Sequence, residues 1–224
     1  MRAMFTRIAG RYDLMNSVMT GGRHHAWRLI AARAVAEAPA GLALDLATGT
    51  GDLALAVRAA SPGRVVVGAD FSEAMLRRAR TKLAARGERG IPLLAADALA
   101  LPFADKTFAC VTSAFLLRNL ADLSAGLAEM RRVTMPGGLV AALEITRPGL
   151  RGWDAVFGLY FNRLVPLIGA AVAGDRAAYT YLPRSVESFV APPQLAQMMT
   201  RAGLRDVRYR RLGLGTIALH VGLA

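Results

Sequence analysis

Residues 42–52, LALDLATGTGD, constrain this chain more than any other stretch. They join a short aliphatic run to a small-residue turn and then to an acid that opens a helix. An apolar run of that length, ended by glycines, predicts a buried parallel strand. Gly49 and Gly51 allow a tight turn and a close approach to a ligand. A helix running from Asp52 to about residue 60 would aim free N–H groups at that ligand. The pattern predicts a nucleotide-type cofactor beyond the C-terminal end of a first strand.

The chain continues as alternating strands and helices. Strands are predicted over 65–69, 92–96, 108–115 and 139–145. A first helix, 24–38, carries the stripe Trp27, Ile30, Ala31, Ala34 and Val35. Ser72 caps a helix with Met75, Leu76, Ala79 and Leu83 on its buried side. Further helices are expected over 120–133 and 193–202, and Met135-Pro136-Gly137-Gly138 reads as a turn. Two last strands, 207–212 and 216–221, have too short a link for a crossover and must pair antiparallel. The class is α/β, with a parallel sheet covered on both faces.

Residues 147–190 differ in character, concentrating Trp153, Phe157, Tyr160, Phe161, Tyr179, Tyr181 and Phe189. They read either as helices packed on the sheet or as an insertion that lids the site. At 224 residues the chain suits one domain. The expected division is 1–224 as a single domain, with a helical cap at 1–40 and a helical insertion over the active site at 147–190.

The formal net charge is +12, from 28 basic and 16 acidic residues. Only Lys82 and Lys106 are lysine. The arginines are dispersed, with small clusters at Arg77-Arg78-Arg80 and Arg208-Arg210-Arg211, and no aromatic-interleaved basic module accompanies them, so nucleic acid is not an expected partner. An anionic membrane face is the other acidic partner such a charge suits. Cys110, the single cysteine, allows no intrachain disulfide and fits a reducing compartment. No run is long and apolar enough for a membrane span, and the first residues lack a signal-peptide core. These features predict a cytoplasmic protein.

Three acids fall at successive strand ends: Asp45, Asp70 and Asp97. Asp70 is placed to accept both hydroxyls of a ribose, and Asp97 the amino group of an adenine. Two cofactors fit this layout. Gly49-x-Gly51-x-x-Ala54 satisfies a loose dinucleotide fingerprint, which leaves an NAD-dependent oxidoreductase as a reading from another class. Asp52, however, would face a pyrophosphate. S-adenosylmethionine has no phosphate and carries a positive sulfonium, which tolerates Asp45 and Asp52 near its amino acid end. His24, His25 and His220 show no metal-ligand spacing with Cys110, so no metal is proposed. No Gly-x-Ser-x-Gly nucleophile motif is present.

The chain resembles the ubiquinone/menaquinone biosynthesis C-methyltransferase family nearly from end to end. The resemblance rests on Met4-Phe5, Tyr12-Asp13-Leu14-Met15-Asn16, Asp45 to Asp52, Asp70-Phe71-Ser72 and Ala96-Asp97-Ala98. It continues through Leu117-Arg118-Asn119, Pro136-Gly137-Gly138, Tyr181-Leu182 and Leu219-His220. It implies a class I S-adenosylmethionine-dependent methyltransferase fold: a Rossmann-like seven-stranded sheet with an antiparallel last strand and a helical lid.

The implied reaction is C-methylation of a polyprenylated quinol, demethylmenaquinol or its ubiquinone-pathway equivalent. Carried over by position, cofactor contacts fall on Thr50, Asp70, Asp97 and Ala98, joined by Asp45, Gly49, Gly51 and Phe71. Another contact is usually a serine, here Ala114, and the glycine two residues later is Leu116. These departures keep open a related methyltransferase acting on another small aromatic or lipid-like acceptor.

Arg118 is the candidate to stabilise a phenolate and Asn119 to position the ring. Tyr12, His25 or water would take the proton. Arg118 could instead serve only to pair with a surface acid, and His220 reads as a structural histidine. The implied partners are the quinol, with its tail on 147–190, and the anionic inner face of the cell membrane, contacted peripherally. A homodimer is also compatible.

Overall fold

The computed structural model describes residues 2–149, 152–169 and 176–224. Helices α1 (Arg2–Ile8), α2 (Tyr12–Thr20) and α3 (Arg23–Ala34) precede β1 (Leu42–Leu46). Then follow α4 (Asp52–Ala60), β2 (Val66–Asp70), α5 (Glu73–Ala85), β3 (Leu93–Ala95) and β4 (Phe108–Ala114). A 3-10 turn, Leu117–Asn119, leads to α6 (Leu123–Val133) and β5 (Thr134–Ile145). After α7 (Trp153–Leu159), a π-helical turn (Tyr160–Leu164) and α8 (Val165–Ile168) come α9 (Arg176–Glu187) and α10 (Pro192–Arg201). The chain closes with β6 (Arg205–Leu212) and β7 (Ile217–Leu223).

The seven strands form one sheet in the order β3-β2-β1-β4-β5-β7-β6. The first five are mutually parallel, and β7 runs antiparallel between β5 and β6. The order reverses at β1 and β4, which opens a crevice beyond their C-terminal ends. Side-chain alternation divides the core in two. Ala43, Cys110, Ala141 and Leu143 join Ala31 of α3, Val35 just after it, and Leu53 and Val57 of α4. Leu44, Leu46, Val111, Val140 and Ala142 join Leu127 and Met130 of α6 and Leu195 and Met199 of α10. A third cluster of Ile8, Met15, Phe161, Val165 and Val186 ties the N-terminal helices to α7–α9. Residues 150, 151 and 170–175 of the expected insertion, and the side chain of Tyr179, lie outside the described residues.

Two local expectations are corrected. The helix expected from residue 120 starts at Leu123, because Asp122 Oδ1 caps it by accepting the Ala125 N–H at 2.9 Å. Leu117–Asn119 remains a separate turn. Pro136-Gly137-Gly138 is not a turn before a strand but a bulge inside β5, where the pairing with β4 shifts register. Gly137 takes φ +76°, and its N–H donates to Ala224 O at 3.0 Å. A Cβ on Gly138 would stand 2.7 Å from both Ala109 O and Thr134 Cγ2. Gly138→Ala is therefore expected to cost about 1–3 kcal/mol by overpacking. Thermal melts check this against Gly158→Ala, whose Cβ meets nothing within 4 Å; equal melting temperatures would remove the bulge's steric requirement.

Candidate active site

The site is built at the C-terminal ends of β1, β2, β4 and β5. Phe115 follows β4 with φ +63°, a left-handed conformation that a bulky residue rarely adopts. Its N–H donates to Leu143 O at 2.8 Å, and its carbonyl accepts Asn119 Nδ2 at 2.9 Å. The Arg28 and Arg118 guanidinium carbons lie 5.3 and 5.7 Å from the centre of its ring.

Glu144, 1% exposed on β5, organises the next turn. Its carboxylate accepts the Leu117 N–H at 2.6 Å and Arg118 Nη1 at 2.8 Å. Burial pushes its pKa up, while Arg118 works in the opposite direction. Arg118 therefore does pair with an acid, a buried one, and still lines a cavity. Tyr181 OH, from α9, donates to Asn119 Oδ1 at 3.1 Å.

That cavity has a volume of about 370 Å³ and a largely aromatic wall, with Tyr12, Trp27, Phe115, Trp153, Phe157 and Tyr160 among its lining residues. A second, narrow cleft of about 40 Å³ lies over β1 and β2, lined by Gly49, Asp70, Phe71, Met75, Ala114 and Leu116 among others. Tyr12, Phe115 and Asn119 line both spaces.

The narrow cleft has the donor set of a nucleoside site without phosphates. Asp70 Oδ2 accepts the Gly49 N–H and Oδ1 the Ser72 N–H, each at 2.8 Å, which aims the carboxylate across the glycine turn. Gly49 and Gly51 hold φ of +56° and +87°. None of the described side chains lining the cleft is basic. These residues fit S-adenosylmethionine better than a pyrophosphate. Small-molecule sites usually measure about 300 Å³ or more, so occupancy requires the walls to part.

Thr50 binds the N-terminal helices to this turn. Its hydroxyl donates to Asp13 Oδ1 at 2.6 Å. Lys82 Nζ lies 2.8 Å from Asp13 Oδ2 and 2.6 Å from Asp52 Oδ1. Burial works against the Asp52 charge, but the Lys82 contact outweighs it and holds the carboxyl below its usual range.

Arg28 is 6% exposed, and its Nη1 donates to His24 Nδ1 at 2.5 Å. Arginine only donates, so Nδ1 must accept and the His24 proton sits on Nε2, 3.1 Å from Ser17 Oγ. Burial, then the Arg28 charge, lowers His24 to about 4. His24, His25 and Asp52 place ligand atoms within 4.8 Å of one another, a clustering that chain spacing did not reveal. Arg28 and Lys82 already occupy two of the three, which opposes a cation there.

The candidate residues do not all converge. Tyr12, Arg118 and Asn119 meet at the large cavity. His25 is exposed and lines neither space among the described residues. Gly49, Asp70, Phe71 and Ala114 line the cleft, with Gly51 and Thr50 at the start of α4. Asp97 is exposed and accepts the Leu99 N–H at 2.9 Å, beside buried Ala98. Asp45 lies within the sheet, where its oxygens accept Thr48 Oγ1 at 2.7 Å and Thr112 Oγ1 at 3.3 Å. His220 Nε2 bonds Pro192 O at 2.9 Å, and its ring stacks on Tyr209, a structural placement. Sequence reading missed Glu144, Arg28, Lys82 and Phe115 as organisers of the site.

A sheet in this order, with an antiparallel seventh strand and a phosphate-free nucleoside cleft at the switch point, defines a class I S-adenosylmethionine-dependent methyltransferase. Its backbone matches a solved SAM-dependent methyltransferase from Aquifex aeolicus with TM-score 0.66 at 17% identity, covering 95% of this chain and 98% of that one. The whole chain, residues 1–224, matches the ubiE/COQ5 methyltransferase family, and it belongs to that family. It is 47% identical over 219 residues to a demethylmenaquinone methyltransferase of Thermus thermophilus, covering 98% of this chain and 99% of the relative. It is 44% identical to a ubiquinone/menaquinone biosynthesis C-methyltransferase of Desulfotalea psychrophila, covering 98% and 88%.

Burial raises Asp45 from 3.8 to about 7 against the two threonine bonds and Arg28. An acid raised by folding stabilises fully below its unfolded value, and that contribution is lost as pH climbs through the folded value. Urea melts of wild type and Asp45→Asn should therefore show the wild type losing ground between about pH 4 and about pH 7, on the order of 1.4 kcal/mol per pKa unit. A gap that does not change with pH would mean Asp45 is not the raised group.

Proposed function

We propose that this chain uses S-adenosylmethionine to methylate a ring carbon of demethylmenaquinol. The observation that carries the reading is the junction of the two spaces: Tyr12, Phe115 and Asn119 line both the nucleoside cleft and the aromatic cavity. An electrophile held in one therefore faces a flat acceptor held in the other.

When bound, the cofactor supplies a methyl group on a positively charged sulfur. Asp70, Phe71 and the Gly49–Gly51 turn hold its nucleoside, with Asp97, Ala98 and Ala114 around the base and Asp45 supporting the turn from below. Arg28, a buried cation whose hydrogen bonds among the described residues go to His24, suits the carboxylate end. Arg118 stabilises the phenolate that makes the neighbouring ring carbon nucleophilic. Asn119, fixed by Tyr181 and Phe115 O, orients the ring. Tyr12 or water would take the proton that the ring carbon releases on methylation, the departing sulfur keeping its bond pair. The proposal leaves out His25, which stands outside the cavity.

Labelled methyl from the cofactor should appear in menaquinol when demethylmenaquinol is the acceptor, and a one-methylene mass gain identifies the product. Arg118→Lys should lower kcat by about 10²-fold, the scale of losing one preorganised donor, with cofactor Kd unchanged. Full turnover in that variant would remove the phenolate role.

A polyprenyl tail exceeds the cavity and needs apolar surface. Val156, Leu159, Leu164 and Leu167, all on the 147–190 insertion that we read as a lid with the 1–40 cap, are exposed. With the +12 charge, they support peripheral docking of a cytoplasmic enzyme on the anionic inner leaflet. A homodimer would have to leave that face open. No helix among the described residues is long and apolar enough to cross a membrane. Co-sedimentation with vesicles should rise with anionic lipid and fall in Leu159→Asp/Leu167→Asp; binding indifferent to both would refute the docking.

A further inference from the structure

Two buried donors on residues that line the aromatic cavity have no protein partner among the described residues; the nitrogens themselves are shielded from the open space, so an acceptor reaches them only as the side chains turn toward it. They are Asn16 Nδ2, from α2, and Trp153 Nε1, from the first turn of α7. Both residues line the cavity. Polar groups beside them are engaged: Thr20 Oγ1 donates to Asn16 O at 2.6 Å, Tyr160 OH to Met19 O at 2.7 Å and Thr216 Oγ1 to Gly213 O at 2.6 Å. Orphaned buried donors are rare because desolvating an N–H without a new acceptor is costly. Two of them on one aromatic-walled cavity mark where a ligand's acceptor atoms belong.

The chemistry of the pair narrows the ligand. An indole N–H only donates, and an amide nitrogen only donates. Both therefore complement oxygen lone pairs and would leave an apolar ring edge unmatched. Arg118 Nε is a third buried donor without a partner on the same cavity. Under the proposed function, Arg118 holds the oxygen beside the reacting carbon. We propose that Asn16 and Trp153 are specificity residues that bind the second ring oxygen, across the ring from the first. The site then selects a 1,4-dioxygenated aromatic acceptor over a simple phenol. Because Asn16 belongs to the N-terminal helices and Trp153 to the α7–α9 segment, that second oxygen also joins the two walls.

This inference rests on the quinol reading, and the test separates the two. The probes are a short-chain 2-alkyl-1,4-naphthalenediol and the matched 3-alkyl-1-naphthol. The naphthol keeps the hydroxyl beside the reacting carbon and lacks the other. Wild type should prefer the diol in kcat/KM. Trp153→Phe, which keeps a ring and loses the N–H, and Asn16→Leu should each cut that preference by about tenfold, the scale of the net contribution of one hydrogen bond. The loss should fall on the diol alone, with cofactor Kd unchanged. Comparing acceptors within each variant cancels the intrinsic difference in ring reactivity. Equal losses on both acceptors would reduce Asn16 and Trp153 to shaping the cavity and overturn the inference while the quinol reading stands. Methylation of neither acceptor by wild type would overturn both.

Discussion

The buried Glu144 carboxylate holds the Leu117–Asn119 turn in place. Removing a carboxylate from water is expensive, and the Arg118 charge recovers that cost only because the geometry is close and a backbone N–H also donates. An aliphatic residue on β5 would pack more cheaply. It would leave Arg118 free to swing toward solvent and Leu117 N–H unpaired. The pair thus trades stability for an arginine whose donors are fixed before any acceptor arrives. Loss of one partner would strand the other charge, at about 3–5 kcal/mol.

Phe115 lines both the cleft and the cavity, with Tyr12 and Asn119, and it is held in a strained backbone conformation. Bonds on either side of it oppose its relaxation: Leu143 O takes its N–H, and Asn119 takes its carbonyl. On the cofactor side, Thr50, Asp13, Lys82 and Asp52 form one connected network. Any movement that widens the narrow cleft at its glycine turn therefore reaches α2, and with it Tyr12 and Asn16 on the wall of the aromatic cavity.

Much of this was legible in the chain. Aliphatic runs ending in glycine or acid gave the parallel strands, and the short link at 213–215 gave the antiparallel pair. Asp70 stood out because it ends the strand that follows the glycine turn, and Asn119 because Leu117-Arg118-Asn119 carries the family resemblance. Glu144 did not, because one acid at the tip of an apolar strand looks like the strand's end and not its keystone. Asp45 and Asp70 look alike in sequence, but Asp45 alternates with Leu44 and Leu46 inside β1 and so faces the helices. Thr50 and Asp13 are 37 residues apart, and nothing local links them. His24 and Arg28 read as ordinary helix positions until their burial made the shared proton visible.

The outer edge of the sheet has a consequence of its own. Among the described residues β6 pairs only with β7, so its other side presents open backbone donors and acceptors. Such an edge invites a second copy to extend the sheet. β6 carries Arg205, Arg208, Arg210 and Arg211, and most of the strand is exposed. A copy laid against it would bring like charges face to face across the ladder. Those arginines oppose such pairing, so colloidal stability and surface charge cannot be tuned independently along this strand.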